Sequence, residues 1–210
     1  MKYYIIGCGG LAKEVLFLSK EVFGSTSNFQ GFIDVNPKVV EITIGDYSYP
    51  VFDQEFVISN LQPDCNMYIG IANSEKISII TQRFARFNFP NLIHPNVIYD
   101  KEYVNLGMGN IISPGCIFTI DISIGLFNFF NTRVTLGHDV KIGSFNVFQP
   151  NVQISGFVKI GHGNTFGLNS SVLQLKKIGN YNNLGANSLL MKNISDKKRY
   201  FGVPAMEIKI

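Results

Sequence analysis

The segment Leu106-Gly-Met-Gly-Asn-Ile-Ile-Ser-Pro-Gly-Cys-Ile-Phe118 opens a pattern that repeats every six residues. Fifteen positions, taken in steps of six from Leu106 to Leu190, are all occupied by Leu, Ile, Val or Phe. A helix has a period of 3.6 residues and an ordinary strand a period of 2, so neither explains a sustained period of six. Hexapeptide repeats are typical of a parallel β-helix, in which each repeat supplies one short strand and one corner. The pattern therefore predicts a parallel β-helix with these apolar side chains inside.

Two other residue types recur every eighteen residues, so three hexapeptides form one coil. Glycine stands at 107, 125, 143, 161 and 179, where a small residue is expected to relax the turn. Asparagine stands at 110, 128, 146, 164 and 182, which predicts a ladder of stacked side chains along one corner. Residues 106–195 have room for five coils, each about 4.8 Å tall.

The first residues of the chain follow a different pattern of strand, glycine turn and helix. Apolar residues dominate 2–6, and a helical pattern covers 13–23. Between them, Gly7, Gly9 and Ala12 match the motif G-x-G-x-x-G/A. In this motif the backbone N–H groups and the helix amino terminus hold a phosphate or pyrophosphate. The turn therefore predicts a nucleotide-binding site.

A second strand predicted at 29–34 supports this interpretation. It ends in Asp34, about twenty residues beyond the turn, where an acid can hydrogen-bond a ribose. The remaining predicted elements are a strand at 67–71, a helix at 74–87 capped by Ser74, and a strand at 91–93. This is shorter than a full dinucleotide-binding fold, which favours a nucleotide-linked ligand over NAD.

The predicted fold is thus α/β followed by all-β. A small Rossmann-like domain occupies residues 1–93, a parallel β-helix occupies 94–195, and a C-terminal tail occupies 196–210. Lys and Arg number 18 against 15 Asp and Glu, a net charge of +3 spread along the chain, which argues against nucleic acid as the partner. The longest uncharged stretch, 103–120, is too polar to span a membrane, so we expect a cytoplasmic protein. Three cysteines without a CxxC pair predict neither a disulfide framework nor a zinc site.

Two of the three histidines occupy the third position of a hexapeptide, at corners where side chains leave the prism. His138 and His162 are 24 residues apart, which is not a multiple of eighteen, so they lie on different corners. Asp139 follows His138 and can orient its imidazole, and Gly156 lies one coil above with a backbone N–H for an oxyanion. His162 has no neighbouring acid, and His94 is expected to be a linker residue. We therefore expect His138 to be the catalytic histidine.

Five motifs across nearly the whole chain occur together with the coils. They are the turn Gly7–Gly10, Gly31-Phe-Ile-Asp34, Ile93-His-Pro95, Gly137-His-Asp-Val-Lys-Ile-Gly143 and Gly202-Val-Pro-Ala205. With them the chain resembles the bacterial sugar acyltransferases that carry a left-handed β-helix. The subgroup that it resembles joins a small nucleotide-binding domain to the helix and includes nucleotide-sugar N-acetyltransferases and sialic acid O-acetyltransferases. Leu11 and Val147 depart from it, because some members have histidine there.

The resemblance implies a homotrimer that binds acetyl-CoA between adjacent prisms, uses no metal, and holds a nucleotide-linked amino sugar in its N-terminal domain. It implies direct transfer, with His138 as general base, Asp139 beside it and the Gly156 amide facing the thioester carbonyl. The expected contacts to the acceptor are Gly7, Gly9, Gly10, Asp34, Asn131 and Thr132. The expected contacts to the coenzyme are Gly156, Gly167, Gly185 and Lys192.

Two alternatives remain open at this point, an O-acetyltransferase and a non-catalytic binding protein, and a third, a metal enzyme, is disfavoured. An O-acetyltransferase acting on a sialic acid or related sugar would use the same base and the same oxyanion donor. A metal enzyme of the carbonic-anhydrase type would need three converging histidines, and the chain offers no third corner histidine. A non-catalytic binding protein would tolerate replacement of His138 and Asp139. Cys116 is not expected to act as a nucleophile, because Val134 and Val152 stack above it and supply no base.

Overall fold

The computed structural model describes residues 1–208, and the chain forms two compact units, Met1–Leu92 and a second that begins at Ile93. The three helices found among these residues all lie in the first unit. The second unit consists of strands only two or three residues long joined by tight corners. Strands of this length are what a hexapeptide repeat can supply.

The first unit contains one five-stranded sheet and three helices. The strands are β1 (Tyr3–Ile6), β2 (Phe29–Asp34), β3 (Glu41–Ile44), β4 (Tyr47–Asp53) and β5 (Asn66–Ile69), and the helices are α1 (Gly10–Phe23), α2 (Gln54–Asn60) and α3 (Ser74–Arg83). The sheet order is β3-β4-β2-β1-β5, in which β4, β2, β1 and β5 are parallel and β3 is an antiparallel edge strand. The predicted Rossmann-like arrangement is confirmed.

Several details of this unit differ from the sequence prediction. Helix α1 begins at Gly10 instead of residue 13, and α3 ends at Arg83. The cap of α3 is Asn73, whose Oδ1 accepts a hydrogen bond from the Lys76 N–H at 2.9 Å, and not Ser74. The hairpin β3–β4 and helix α2 were not predicted, because the residues of β3 are exposed or half-buried and leave little apolar signal.

The second unit stacks its strands into three sheets, which are parallel except at β23 and which we call the first, second and third faces. The first face contains β7 (Val104–Leu106), β10 (Ile122–Ile124), β13 (Lys141–Ile142), β16 (Lys159–Ile160) and β19 (Lys177–Ile178). The second contains β6 (Leu92–Ile93), β8 (Ile111–Ile112), β11 (Phe129–Phe130), β14 (Val147–Phe148), β17 (Thr165–Phe166), β20 (Asn183–Leu184), β22 (Arg199–Phe201) and β23 (Met206–Glu207). The third contains β9 (Ile117–Phe118), β12 (Thr135–Leu136), β15 (Gln153–Ile154), β18 (Ser171–Val172) and β21 (Leu189–Leu190).

From β7 to β21, neighbouring strands on each face are eighteen residues apart, as the predicted coil requires. Lys141 of β13 pairs with Lys159 of β16, for example, and Thr135 of β12 pairs with Gln153 of β15. The strand predicted at 91–93 does not extend the Rossmann-like sheet, because β6 is the neighbour of β8 on the second face.

We number the three corners between the faces in the same way. The first corner joins the first face to the second and includes 143–146 and 161–164. The second corner joins the second face to the third and includes 131–134 and 167–170. The third corner joins the third face to the first and includes 137–140 and 155–158.

The apolar residues of the six-residue repeat form the core of the prism, as predicted. Phe130, Phe148 and Phe166 stack one above the other with ring centroids 4.7 Å apart and nearly parallel planes. The asparagine ladder is also present. Asn128, Asn146 and Asn164 are buried, and each Oδ1 accepts hydrogen bonds from the next coil's asparagine. The ladder satisfies polar groups inside the corner that would otherwise be costly to bury.

The recurring glycines do not relax the turns, so that expectation was wrong. The left-handed backbone conformation falls two residues later, for example at Phe127 (φ 53°) and Phe145 (φ 64°), whereas Gly125 and Gly143 do not adopt it. A Cβ on Gly125 would instead lie 2.8 Å from the backbone of Gly143 in the next coil. Glycine is needed here because successive coils approach too closely for a side chain.

Residues 196–208, part of the segment that the sequence predicted to be a tail, close the end of the prism. Strand β22 pairs with β20 in parallel, and β23 pairs with β22 in an antiparallel manner. Tyr200 and Ala205 are buried in the same core as the coils. These residues lack the six-residue repeat, so the sequence carried no signal for this packing.

Candidate active site

The third corner brings His138, Asp139 and Gly156 together. His138 Nδ1 lies 2.9 Å from Asp139 Oδ2, and both side chains are about half exposed, at 53% and 42%. The Phe157 ring meets the imidazole edge to face, with ring centroids 4.9 Å apart, and the Phe157 N–H donates to the His138 carbonyl. The backbone of the next coil therefore holds the histidine on an accessible corner.

The carboxylate fixes which nitrogen of His138 is free. An ionised carboxylate can only accept a hydrogen bond, so His138 Nδ1 carries the proton and donates it to Asp139. In the neutral ring this leaves a lone pair on Nε2, the form that a general base requires. Nε2 is also the ring atom that faces Gly156, because a Cβ built on Gly156 would lie 2.7 Å from it.

Gly156 offers a backbone donor beside this imidazole. In residues 1–208, no carbonyl and no side chain accepts a hydrogen bond from its N–H. Its carbonyl, by contrast, accepts from the Leu175 N–H of the following coil at 3.0 Å. A free backbone amide next to a base can donate a hydrogen bond to the oxyanion that forms on a substrate carbonyl bound between them.

His162 on the first corner has a different environment. Its Nδ1 accepts a hydrogen bond from the Ser144 N–H at 2.9 Å, and its own N–H donates to Asn180 Oδ1 at 2.8 Å. The same arrangement recurs above and below, since the Leu126 N–H donates to Ser144 Oγ and the Asn180 N–H donates to Asp196 Oδ1. We call this series the cap ladder. His162 is therefore a structural residue that caps the backbone of the preceding coil.

The other predicted contacts are divided between two corners. Lys192 lies on the third corner, three coils beyond His138, and its Nζ is 5.1 Å from the centroid of the Tyr200 ring. Asn131, Thr132, Gly167 and Gly185 all lie on the second corner, at the opposite edge of the third face. Asn131 Oδ1 accepts from the Thr132 N–H at 2.7 Å. One chain thus does not bring these four residues to His138.

A separate cavity of about 640 Å³ lies in the first unit, at the carboxyl ends of β1, β2 and β5. Gly7, Gly9, Gly10 and Asp34 all line it, so the predicted nucleotide-site residues come together. Gly7 has φ +111°, and a Cβ there would lie 2.8 Å from the Gly70 carbonyl oxygen. Gly9 and Gly10 face open space, which leaves the amino terminus of α1 accessible to a phosphate.

Two residues that the sequence analysis missed complete this cavity. The Cys8 thiol donates a hydrogen bond to Asp34 Oδ2 at 2.5 Å. Burial and the neighbouring Asp34 carboxylate raise the pKa of Cys8 to about 11, so the thiol keeps its proton. Burial opposes ionisation of Asp34, but hydrogen bonds from Cys8 and from the Asn36 and Val35 backbone outweigh it and lower the pKa of that carboxyl.

The second missed residue is Lys76 in the first turn of α3, which also lines the cavity and lies close enough to Asp34 to favour its ionised form. It is the only Lys or Arg among the residues found to line this cavity in the described part of the chain. The only sequence signal for Lys76 is that it stands in the first turn of the helix that follows β5.

Other expected and excluded features have clear positions. Burial raises the pKa of Cys116 to about 12, and its thiol donates to the Asn131 carbonyl at 3.1 Å. His94 Nδ1 accepts from the Asn96 N–H in a turn.

Across residues 1–208, no cluster of three His, Cys, Asp or Glu side chains could hold a metal ion. No helix in that range is long and apolar enough to cross a bilayer.

Comparison with known proteins identifies the architecture. No protein-family model matches the chain, and no curated protein sequence does. Solved structures do match: perosamine N-acetyltransferase from Caulobacter crescentus, in complex with CoA and GDP-perosamine, has 22% identity and a TM-score of 0.88 over 100% of this chain and 98% of that one. The fold is that of a left-handed β-helix with an N-terminal Rossmann-like unit.

Two further structures agree over the same length. The acetyltransferase domain of PglB from Neisseria gonorrhoeae, in complex with acetyl coenzyme A, has 22% identity and a TM-score of 0.88, covering 99% of this chain and 98% of that one. WeeI from Acinetobacter baumannii AYE has 26% identity and a TM-score of 0.86, covering 99% of this chain and all of that one. The resemblance inferred from the sequence is confirmed at the level of the fold.

Proposed function

We propose that the protein is an acetyl-CoA-dependent N-acetyltransferase that acts on an amino group of a nucleotide-linked sugar. The observation that carries the proposal is the third corner, where Asp139 holds His138 with Nε2 free beside the unpaired Gly156 N–H. A base next to an oxyanion donor is the combination that acyl transfer from a thioester requires. Whole-chain similarity in fold to perosamine N-acetyltransferase supports an amine acceptor.

The mechanism is direct transfer without an acyl-enzyme. The sugar amine attacks the thioester carbonyl carbon, and His138 Nε2 takes the proton that the amine loses. The oxyanion of the tetrahedral intermediate accepts a hydrogen bond from the Gly156 N–H. Collapse of the intermediate breaks the C–S bond, and the proton on His138 Nε2 passes to the leaving sulfur, which releases the acetylated sugar and the coenzyme thiol and restores the neutral imidazole. Because amine and thioester are reactive when held together, much of the acceleration comes from positioning.

The nucleotide part of the acceptor is assigned to the cavity of the first unit. The diphosphate suits the open backbone at Gly9 and Gly10 before α1, where N–H groups and the helix dipole favour an anion. Lys76 adds a positive charge to the same cavity. Asp34, held by Cys8, is placed to accept hydrogen bonds from the nucleoside.

A homotrimer is part of the proposal. The expected site residues of the second unit lie on its second and third corners, and closed rotational symmetry would bring the second corner of one prism to the third corner of the next. Both corners and the face between them also expose apolar side chains, which an interface would cover. These residues are Ile117, Ile120, Phe157, Leu168, Leu173, Leu175 and Met191. We also propose a cytoplasmic location, where acetyl-CoA and nucleotide sugars are available.

The test is acetylation of a panel of acceptors. The full-length protein is mixed with acetyl-CoA and either 3-amino or 4-amino nucleotide sugars, the corresponding free amino sugars, or free sialic acid, and thiol release is measured. We expect thiol release with at least one amino nucleotide sugar and far less with its free sugar. Efficient acetylation of sialic acid would favour the O-acetyltransferase alternative. No thiol release with any acceptor, together with no coenzyme binding, would contradict the proposal.

A further inference from the structure

Gln54 is a buried polar residue of the first unit whose side chain has no hydrogen-bond partner in the protein. It follows β4 directly, is only 7% exposed, and lines the cavity of about 640 Å³. Within residues 1–208, no backbone or side-chain group is hydrogen-bonded to its amide. Burying an amide costs free energy unless it is hydrogen-bonded. A glutamine at this position therefore destabilises the fold unless another molecule pairs with it.

The amide of Gln54 opens onto the cavity. Ser170 Oγ is the one fully enclosed side-chain N or O atom without a partner in the part of the chain that the structure describes. The Gln54 amide therefore still reaches open space, and the cavity is the space that this residue borders. Asp53, the residue before it, is engaged elsewhere, because its Oδ1 accepts from the Glu55 and Phe56 N–H groups at 2.8 and 3.3 Å and caps α2. Gln54 is thus the polar side chain that the end of β4 contributes to the cavity.

Gln54 stands one strand further from the glycine turn than Asp34 does. The turn follows β1, Asp34 ends β2, and β2 lies between β1 and β4 in the sheet. In the parallel register Asp34 pairs with Asp53, so Gln54 comes one residue beyond the partner of Asp34. Two strand spacings, about 10 Å, therefore separate the turn from Gln54 across the sheet.

This order along the sheet matches the order of groups in a nucleoside diphosphate. The diphosphate is assigned to the turn and the ribose to Asp34, so the base is the group that reaches the end of β4. The sugar is bonded to the other side of the diphosphate and so lies away from Gln54. Val35 and Ile79, which are exposed and also line the cavity, offer apolar surface for the flat face of a base.

We propose that Gln54 hydrogen-bonds the edge of the nucleobase. A primary amide carries a donor beside an acceptor, and the nucleobases present an acceptor beside a donor on their edges, so two parallel hydrogen bonds form. Because no protein group fixes the amide, it turns to match either order of donor and acceptor. The inference rests on the proposed function and adds to it the residue that contacts the base.

The experiment measures how replacement of Gln54 affects ligands with and without a base. UDP, GDP, CDP and ADP are titrated into the full-length protein by calorimetry, and the tightest of them is the test nucleotide. Ribose 5-phosphate, which has no base, is titrated by NMR. For Gln54→Met we expect the test nucleotide to bind about tenfold more weakly, the loss typical of a bidentate hydrogen bond to a base edge. The affinity for ribose 5-phosphate should not change.

Two control variants separate the base from the phosphate. Lys76→Gln removes a positive charge from the same cavity and should weaken the test nucleotide and ribose 5-phosphate by a similar factor of a few. Gln82→Met replaces an exposed glutamine of α3 outside the residues found to line the cavity. It should change neither affinity.

Thermal melts without ligand separate a binding residue from a structural one. Methionine has a similar length to glutamine and needs no hydrogen-bond partner, so Gln54→Met should melt at or above the temperature of the wild type. A Gln54→Met protein that melts well below the wild type would show that the fold uses the amide, and would overturn the inference. Gln54→Ala is a second variant without the amide and should lose nucleotide affinity in the same way.

The binding data decide between the inference and the function on which it rests. Unchanged affinity for the test nucleotide in Gln54→Met and Gln54→Ala would overturn the inference and leave the proposed function intact. An equal loss for the test nucleotide and ribose 5-phosphate would overturn it as well, by assigning the amide to the ribose. If the wild-type protein bound none of the four nucleotides, the nucleotide-linked acceptor of the proposed function would fail too.

Discussion

His138 and His162 occupy the same position of the hexapeptide on two corners of one prism, yet their imidazoles do opposite things. His162 Nδ1 accepts a backbone hydrogen bond from Ser144. His138 Nδ1 donates to Asp139, and its Nε2 faces Gly156. The Nδ1 lone pair of His162 is used in a structural hydrogen bond, whereas the Nε2 lone pair of His138 is available to take a proton.

The difference arises from residues next in sequence and one coil away. At the first corner, a polar side chain in each coil accepts from the N–H of the coil before it, so the backbone amides are occupied. At the third corner no such series forms within residues 1–208, because Gly156 has no side chain to accept from the His138 N–H and the exposed side chain of Gln174, one coil further, does not accept from the Gly156 N–H. The lack of a side-chain acceptor leaves the Gly156 N–H available to an oxyanion.

The largest effect should follow from removing the imidazole itself. We expect His138→Ala to lower kcat by at least about a hundredfold, because a general base contributes roughly that much or more. His162→Ala should change kcat by no more than a few-fold but lower the melting temperature, because the Ser144 N–H loses its acceptor. Steady-state thiol release and thermal melts measure both. Equal losses of kcat in the two variants would show that the corners do not differ as described.

A smaller loss should follow from Asp139→Asn. Asp139 has a left-handed backbone (φ 59°), which asparagine also tolerates, so the fold should be retained. The amide can donate to His138 Nδ1 and thereby stabilise the tautomer that protonates Nε2, so we expect kcat to fall by about tenfold or more. The KM for acetyl-CoA should change little. A kcat equal to that of the wild type would separate Asp139 from the function of His138.

Substitution of two glycines by alanine should divide the effects between activity and stability. In Gly156→Ala the added Cβ would lie 2.7 Å from His138 Nε2, so the imidazole must move and kcat should fall by about tenfold. In Gly143→Ala it would lie 2.6 Å from the Gly161 carbonyl oxygen, so stability should fall by about 1–3 kcal/mol with kcat preserved. Denaturant melts and turnover are measured for both. If Gly143→Ala lost activity and Gly156→Ala lost only stability, the assignment of the third corner as the reactive one would be contradicted.

The fold was largely predictable from the sequence because the repeat is regular. Each hexapeptide places one apolar residue in the same core. The eighteen-residue spacing of Phe130, Phe148 and Phe166 is therefore enough to predict that they stack. The asparagine ladder was predictable for the same reason. The hairpin β3–β4 and strand β22 were not, because neither follows a period and their partners are set by tertiary packing.

The candidate site was predictable only in part. Arithmetic in steps of eighteen paired His138 with Gly156, and the motif pattern located Gly7 and Asp34. The Cys8 to Asp34 hydrogen bond and Lys76 were missed, because they depend on how separate strands and helices meet at one edge of the sheet. The cap ladder was missed too, since its members are Ser, His, Asn and Asp and share no residue type.

The smallest effect on activity should come from the buried asparagine ladder at the first corner. Asn146→Ala removes Oδ1 as acceptor for the Asn164 N–H and Nδ2, so we expect a loss of about 1–3 kcal/mol in stability and no change in kcat. Asn183→Ala, an exposed asparagine of the second face, is the control and should change stability by less than about 0.5 kcal/mol. Comparable losses from the two variants would mean that the ladder contributes no more than a surface residue.

The most direct test of the contrast between the corners is the tautomer of each histidine. Long-range proton–nitrogen NMR spectra, recorded where both imidazoles are uncharged, distinguish a ring protonated on Nδ1 from one protonated on Nε2. The variants His138→Gln and His162→Gln assign the signals. We expect the proton of His138 on Nδ1, toward Asp139, and the proton of His162 on Nε2, because its Nδ1 accepts from Ser144. Finding His138 protonated on Nε2 would leave it no lone pair facing Gly156 and would contradict its assignment as the base.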